Sequence, residues 1–323
     1  MRLKKTTTEV ERASIAVIKK KRSWANELKQ NWQLYVMLVI PFIYVLVFKY
    51  FPMVGAQIAF RDYLPVTGIW KSEWVGMKHF IRFFNNPQWW NIIKNTLAIS
   101  TYSLVLSIPF PIILAIAFDY TRNRFYRKTV QMVTFLPHFL STVIVVSMIN
   151  LIFDNRIGVV NNIIEYIIGH KVNFLGDAKF FRSMYVWSGI WQNVGWNSIL
   201  YISALAGVDT QIHEAAIIDG ANKLRRIWHI DLTSIRPTIA VMTIMNLGTV
   251  LSVGFDKTYM MQNPINLHYS EVLSTYEYKM GTAGLIPNYS YGAAIGLMVS
   301  VVNFILIVLS NKISNKLSGS GLW

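Results

Sequence analysis

Six stretches of this 323-residue chain, 34–54, 92–118, 130–153, 184–206, 237–255 and 289–310, are almost free of ionisable side chains. About 20 largely apolar residues, rising roughly 1.5 Å each, cross roughly 30 Å of hydrocarbon, and longer runs tilt. Of the Asp, Glu, Lys and Arg residues only Lys49 and Lys94 fall inside the six, each near enough to an end to reach water. One such stretch fits a buried helix of a large soluble protein; six in a chain of this length do not. The expected fold class is therefore all-α, a polytopic membrane protein with six transmembrane helices. The first stretch starts only after residue 33, too late for an ordinary cleaved signal peptide, and is expected to remain as an anchor.

Charge is both scarce and one-sided. Charged residues make up 15% of the chain, against about 25% in soluble domains. Lys and Arg number 31 against 16 Asp and Glu. Their positions orient the chain, because loops on the cytoplasmic side hold the excess of Lys and Arg. With both termini cytoplasmic, segments 1–33, 119–129, 207–236 and 311–323 carry 19 basic residues and the three opposite loops carry 10. This gives a basic N-terminal segment 1–33, a transmembrane domain 34–310 that includes a cytoplasmic loop 207–236, and a tail 311–323. Residues Lys4 to Lys29 are expected to set topology and meet anionic lipid. The outer loops' basic residues would suit acidic ligands or a docking partner. The external segment Trp74 to Trp90, mixing aromatics and charge, is expected to form an interfacial amphipathic helix.

Catalytic and metal chemistry find little footing. Cysteine is absent, and the six histidines are scattered singly. His213-Glu214-Ala215-Ala216-Ile217 starts like a zinc-protease helix, but Ile217 stands where the second His ligand is required. No Ser-His arrangement or carboxylate pair marks an enzyme, and no metal site is expected. Pro109 and Pro111 are expected to break the second stretch and Pro137 to kink the third.

The fourth stretch is unusual. Trp187 to Tyr201 reads WSGIWQNVGWNSILY. At about 100° per residue, Gly189, Gln192, Asn193, Trp196 and Asn197 share an arc of about 140°, with Trp187, Trp191 and Ser198 opposite. A carboxamide is costly against lipid, so this arc faces protein or a watery path. Two readings stay open from the residues alone: interhelical hydrogen bonds that glue the bundle, or a wall for sugars, which need aromatic faces and amide partners. Asn246 and Thr249 on the fifth stretch pose the same choice.

The loop between the fourth and fifth stretches carries the sharpest pattern. Asp209 or Thr210 can cap a helix of about ten residues that Gly220 ends in the left-handed region. A second short helix is expected from about Asn222 to Ile230. Two helices around a turn resemble a DNA reader, but a loop pinned at both ends to a bilayer is sterically poor for that, so no nucleic-acid partner is expected. Glu214, Ala215 and Ala216 are followed by Asp219, Gly220, Ala221, Ile230 and Leu232. This resembles the EAA loop of permease subunits in binding-protein-dependent ATP-binding-cassette importers: EAA, three residues, G, nine residues, then I-x-L-P. Thr233 replaces the usual proline, and Pro237 follows shortly. Phe48 to Met53, Ala59 to Tyr63, Asn95-Thr96, Phe135 to Phe139, Gly195-Trp196 and the terminal Gly321-Leu322-Trp323 resemble the polysaccharide and oligosaccharide branch over nearly the full length.

The resemblance implies a type I importer permease fold in the cytoplasmic membrane of a prokaryote. It implies that the chain pairs with a second homologous permease subunit, two ATPase subunits and an extracellular solute-binding protein. It also implies that helix 210–219 docks in an ATPase cleft, with Ala215 and Ala216 allowing close approach and Glu214 offering charge. ATP and Mg would sit on the ATPase partners, with no cofactor in this chain. None of the 18 glycines precedes lysine, so the phosphate-binding G-x-x-x-x-G-K-[ST] loop is missing. The resemblance further implies that Gly189, Gln192, Asn193, Trp196, Asn197, Asn246 and Thr249 face the path of an oligosaccharide. The alternative, an ion-coupled secondary sugar transporter, needs an ion-coupling group within a span, and no Asp, Glu, Lys or Arg lies in the central part of any of the six stretches.

Overall fold

The structure is a computed structural model, described here over residues 28–318. Most of the expected N-terminal basic segment and the terminal Gly321-Leu322-Trp323 lie outside the described residues. The chain divides into units 1–57 and 58–323.

In the first unit, α1 (Trp32–Val45) passes into a π-helical turn, Leu46–Tyr50, and then a 3-10 segment that begins at Phe51. Helix α1 has no buried side chain, and Met37 and Ile40 are exposed. An apolar helix with no core face is built for lipid.

The second unit opens with a small antiparallel ribbon, β1 (Arg61–Asp62) against β2 (Glu73–Trp74), joined through α2 (Gly68–Lys71). Then follow α3 (Lys78–Phe84), α4 (Trp89–Ser107), α5 (Pro109–Asp119), α6 (Arg124–Phe135), α7 (Thr142–Ile152) and α8 (Val159–Ile168). The longest helices are α9 (Ala178–Leu205) and, at the end of the described chain, α17 (Tyr289–Ser318). Between them lie α10 (Thr210–Ile218), α11 (Lys223–Arg226), α12 (Leu232–Ser234), α13 (Arg236–Leu247), α14 (Phe255–Met261), α15 (Leu267–Ser270) and α16 (Leu273–Tyr278). The expected amphipathic helix between Trp74 and Trp90 is present as the seven residues of α3, which bury His79 and Phe83 and leave Ile81 and Phe84 exposed.

Among the described residues, three helical runs are long and apolar enough to cross a membrane: Trp32–Phe60, Trp89–Asp119 and Tyr289–Lys316. They coincide with the first, second and sixth expected stretches. The second is interrupted where expected: α4 ends at Ser107 and Pro109 opens α5, where its missing N–H costs nothing, yet the two helices still form one run from Trp89 to Asp119. The third stretch is not one straight rod. Pro137 sits in a 3-10 turn, Leu136–Phe139, and the helices on either side, Arg124–Phe139 and Thr142–Ile152, are bent by 101°. The fourth is a single helix, α9, that begins six residues before 184. The fifth is corrected most: α13 stops at Leu247, and 248–254 is irregular before α14. Asn303 of α17 makes the break tolerable. Its Oδ1 accepts the Leu251 N–H at 3.2 Å, replacing a bond the helix would have made, and its Nδ2 donates to Ser252 Oγ at 3.1 Å.

Three clusters hold the helices together. Ile99, Val145, Val146, Ile149 and Phe181 join α4, α7 and α9. Phe83, Ile92, Tyr276 and Tyr291 join α3, α4, α16 and α17. Ile112, Ala115, Tyr201, Leu205 and Ile235 join α5 and α9 at the end that leads into the 207–236 loop. Asn95 and Thr96 have a packing task. Asn95 Nδ2 donates to the His268 and Glu271 carbonyls at 2.8 and 3.1 Å, and Thr96 Oγ1 accepts the Leu273 N–H at 3.0 Å.

Candidate functional site

Helix α9 carries polar side chains on one face and runs without a break to Leu205, just before the 207–236 loop. A cavity of about 260 Å³ opens along that face, lined by Ser103, Ser107, Gly189, Gln192, Asn193, Asn197 and Lys257. A second, of about 180 Å³, adjoins it through Ser103, Ser107 and Tyr185, and Asn246 and Thr249 line it at the broken end of α13. Six of the seven residues expected on a path thus border these two spaces.

Trp196 is the exception. Its ring stacks on His138, with centroids 4.4 Å apart and planes 6° from parallel. Gly195, its neighbour, meets the opposite chain even more closely: a Cβ there would lie 2.2 Å from the Thr134 carbonyl oxygen. The segments Phe135 to Phe139 and Gly195-Trp196 are therefore two sides of one contact between α9 and the bent third stretch. Neither segment alone signals this.

The polar arc does both things its residues allow. Gln192 Nε2 donates to the Leu140 carbonyl at 2.9 Å, and Asn193 Oδ1 lies 3.0 Å from His138 Nδ1 while its Nδ2 donates to the Gly189 carbonyl at 3.0 Å. The contacts to Leu140 and His138 glue α9 to the third stretch, while the Gly189 bond stays within α9. The same side chains also face the cavity, and Asn197 borders it with no side-chain hydrogen bond among the described residues. Lys257, from α14, was not singled out by sequence because it lies outside the apolar run; only the fold brings it to the cavity wall.

The 207–236 loop has the local form its sequence expects. Asp209 caps α10, its side chain accepting the Gln211 N–H at 2.9 Å. Gly220 has φ +77°, the Gly220 N–H donates to the Ile217 carbonyl at 3.0 Å, and the Ala221 N–H donates to the Ala216 carbonyl at 2.8 Å. Two crossed bonds of this kind around a left-handed residue form a Schellman stop. Ala216, Gly220 and Ala221 thus define the backbone turn. Glu214, Ala215 and Asp219 remain exposed, whereas Ile230 and Leu232 are half-buried. Asn222 caps the second helix, which is α11 followed by a π-helical turn, Ile227–Asp231.

A buried carboxylate ties this loop together. Asp231 is 1% exposed. Its Oδ2 accepts the Tyr120 hydroxyl at 2.8 Å. His213 Nε2 lies 3.0 Å from Oδ1, within ion-pair range though off the line of a hydrogen bond. Burial and the Asp231 bond push the Tyr120 hydroxyl up to about 12, so it remains a donor. The Arg226 guanidinium sits 5.8 Å over the Tyr120 ring. Helix α10, the second loop helix and the residue just beyond α5 therefore meet at one point.

Known proteins place this architecture. Residues 107–319 match the model of the family described as binding-protein-dependent transport system inner membrane component. Protein LplB of Bacillus subtilis (strain 168) is 43% identical over 93% of this chain and 94% of its own length. The polygalacturonan/rhamnogalacturonan transport system permease protein YteP of the same organism is 40% identical over 94% of each chain. Among solved structures, a chain of a bacterial alginate ABC transporter, in complex with its periplasmic protein bound to an alginate pentasaccharide, is 35% identical. It superposes with a TM-score of 0.85 over 94% of this chain and 100% of the other. The match covers helices, broken stretches and loop alike, and this chain belongs to the family of inner-membrane components of binding-protein-dependent transport systems.

Proposed function

We propose that this chain is one permease subunit of an ATP-driven, binding-protein-dependent importer of oligosaccharides in a bacterial membrane. One observation carries the proposal: α9 lines the polar cavity along one face and leads at its other end into a capped, knotted loop. Serine hydroxyls and carboxamides beside Pro111 and the Tyr185 ring suit a sugar's hydroxyl rim and apolar faces. Alginate and polygalacturonan, which two of the relatives are named for, are uronate polymers, and we extend that class to this chain.

In this reading the chain crosses the membrane six times with both termini in the cytoplasm, the bent third stretch and broken fifth serving as spans. Segment 34–310 is the transmembrane domain, and 207–236 is a cytoplasmic coupling loop within it. A second permease subunit completes the path, a solute-binding protein delivers the sugar from outside, and two ATPase subunits hold ATP and Mg. Helix α10 docks on one ATPase. Glu214 and Ala215 are exposed there, and so are Ile217, Ile218, Leu224 and Trp228, an apolar group that a partner surface would cover. ATPase closure pushes α10, the Asp231 contact carries the push to Tyr120, and the rigid α9 opens or closes its cavity. Ion coupling gains nothing from the relatives.

The test is reconstitution of the four-part complex in vesicles with loaded binding protein. Uptake of a labelled oligosaccharide should require ATP and survive ionophores. Uptake that persists without ATP and collapses with the ion gradient would refute the proposal.

A further inference from the structure

Lys257 stands out on the cavity wall. Its Nζ donates to the Tyr185 carbonyl at 2.8 Å and lies 4.8 Å from the Tyr185 ring centroid. Across the helix it covers Gly189, where a Cβ would come within 3.3 Å of Nζ. A lysine has three N–H donors and no acceptor. One is used by the carbonyl, and no Asp or Glu pairs with Lys257 among the described residues. A cation held in a cavity away from bulk water is normally paired. Here the pairing group is left for whatever enters.

The surroundings narrow what that is. Gln192, Asn193 and Asn197 share the cavity with Lys257 and are neutral hydrogen-bonding groups suited to hydroxyls. A ligand that satisfies both carries hydroxyls and a single anionic group together. We infer that Lys257 is a specificity-determining residue whose ammonium binds the carboxylate of a uronic acid unit as the sugar passes. A charge-assisted bond of this kind is stronger than a neutral one, so the residue favours acidic oligosaccharides over neutral ones of the same shape. Gly189 contributes by its missing side chain, since any Cβ would press on the ammonium. The inference rests on the reading of the chain as an oligosaccharide permease.

The experiment compares Lys257→Gln and Lys257→Arg with wild type in the full reconstituted complex, using trigalacturonate and its carboxyl-reduced counterpart as labelled probes. The binding protein is the same throughout, so any change in preference arises in the permease. Lys257→Gln should lower trigalacturonate uptake about ten-fold or more, Lys257→Arg should restore at least half of it, and uptake of the reduced probe should not fall. Wild-type trigalacturonate uptake in Lys257→Gln, an equal loss for both probes, or a loss that arginine does not restore would overturn the assignment. Failure of the wild-type complex to take up either probe would refute the permease reading itself.

Discussion

His213 Nε2 and the Oδ1 of Asp231 lie 3.0 Å apart, joining the first helix of the 207–236 loop to its second. The Tyr120 hydroxyl completes the contact from the end of α5. Removing the buried Asp231 carboxylate leaves both the Tyr120 hydroxyl and the His213 ring without their partner, which costs more than losing one neutral hydrogen bond. Because the His213 side chain is 21% exposed, Asp231→Ala should destabilise the loop by about 1–3 kcal/mol, whereas Tyr120→Phe should cost about 0.5–1.5 kcal/mol. In the complex, Asp231→Ala should abolish stimulation of ATP hydrolysis by loaded binding protein while the ATPase still copurifies. Equal, small effects of the two substitutions would show that the contact carries no push.

Gly220 is required by its backbone, not by crowding. Its φ is +77° and nothing lies within 4 Å of a Cβ built there. Gly220→Val forces a β-branched side chain into the left-handed region at about 1–2 kcal/mol or more. Uptake should fall relative to ATP hydrolysis. Gly220→Asn, better tolerated at positive φ, should retain more uptake than valine; indistinguishable variants would contradict the role of the turn.

Gly195 is the converse. A Cβ there would meet Thr134 backbone atoms at 2.2 and 2.5 Å, and backbone does not yield as a flexible side chain does. Gly195→Ala should therefore cost about 1–3 kcal/mol by overpacking. A thermal unfolding midpoint several degrees below wild type in the purified complex is expected, and an unchanged midpoint would mean the two segments are less tightly apposed.

Glu214 is exposed on α10 beside the turn. Reversing its charge with Glu214→Lys should weaken copurification of the ATPase subunit, measured at matched permease levels and more strongly at low salt. Undiminished copurification would remove Glu214 from the docking surface.

How much of this was legible in sequence depends on range. The loop was readable because Asp209, Gly220 and Asn222 act within a few residues of themselves through caps and a left-handed stop. The first, second and sixth stretches were readable because lipid exposure demands apolar length alone. The fifth was legible only as composition: 237–255 reads as a span, whereas the stop of its helix at Leu247 and the bond from Leu251 to Asn303, 52 residues beyond it, are features of the fold. Lys257 was invisible because its place against Tyr185 and Gly189 exists only once α14 folds back on α9. Likewise the Asp231 knot joins residues 111 apart at Tyr120, and no local pattern announces it.

In the proposed cycle the cavity along α9 changes its exposure when the ATPases close. The chain contains no cysteine, so Asn197→Cys places a single thiol in this subunit at the cavity wall. Its labelling by a membrane-impermeant maleimide can be followed from either side of the reconstituted membrane, with and without ATP and vanadate. The predicted result is labelling from the cytoplasmic side in the resting complex and from the outer side in the trapped one. Labelling at the same rate from the same side in both states would contradict alternating access through this cavity.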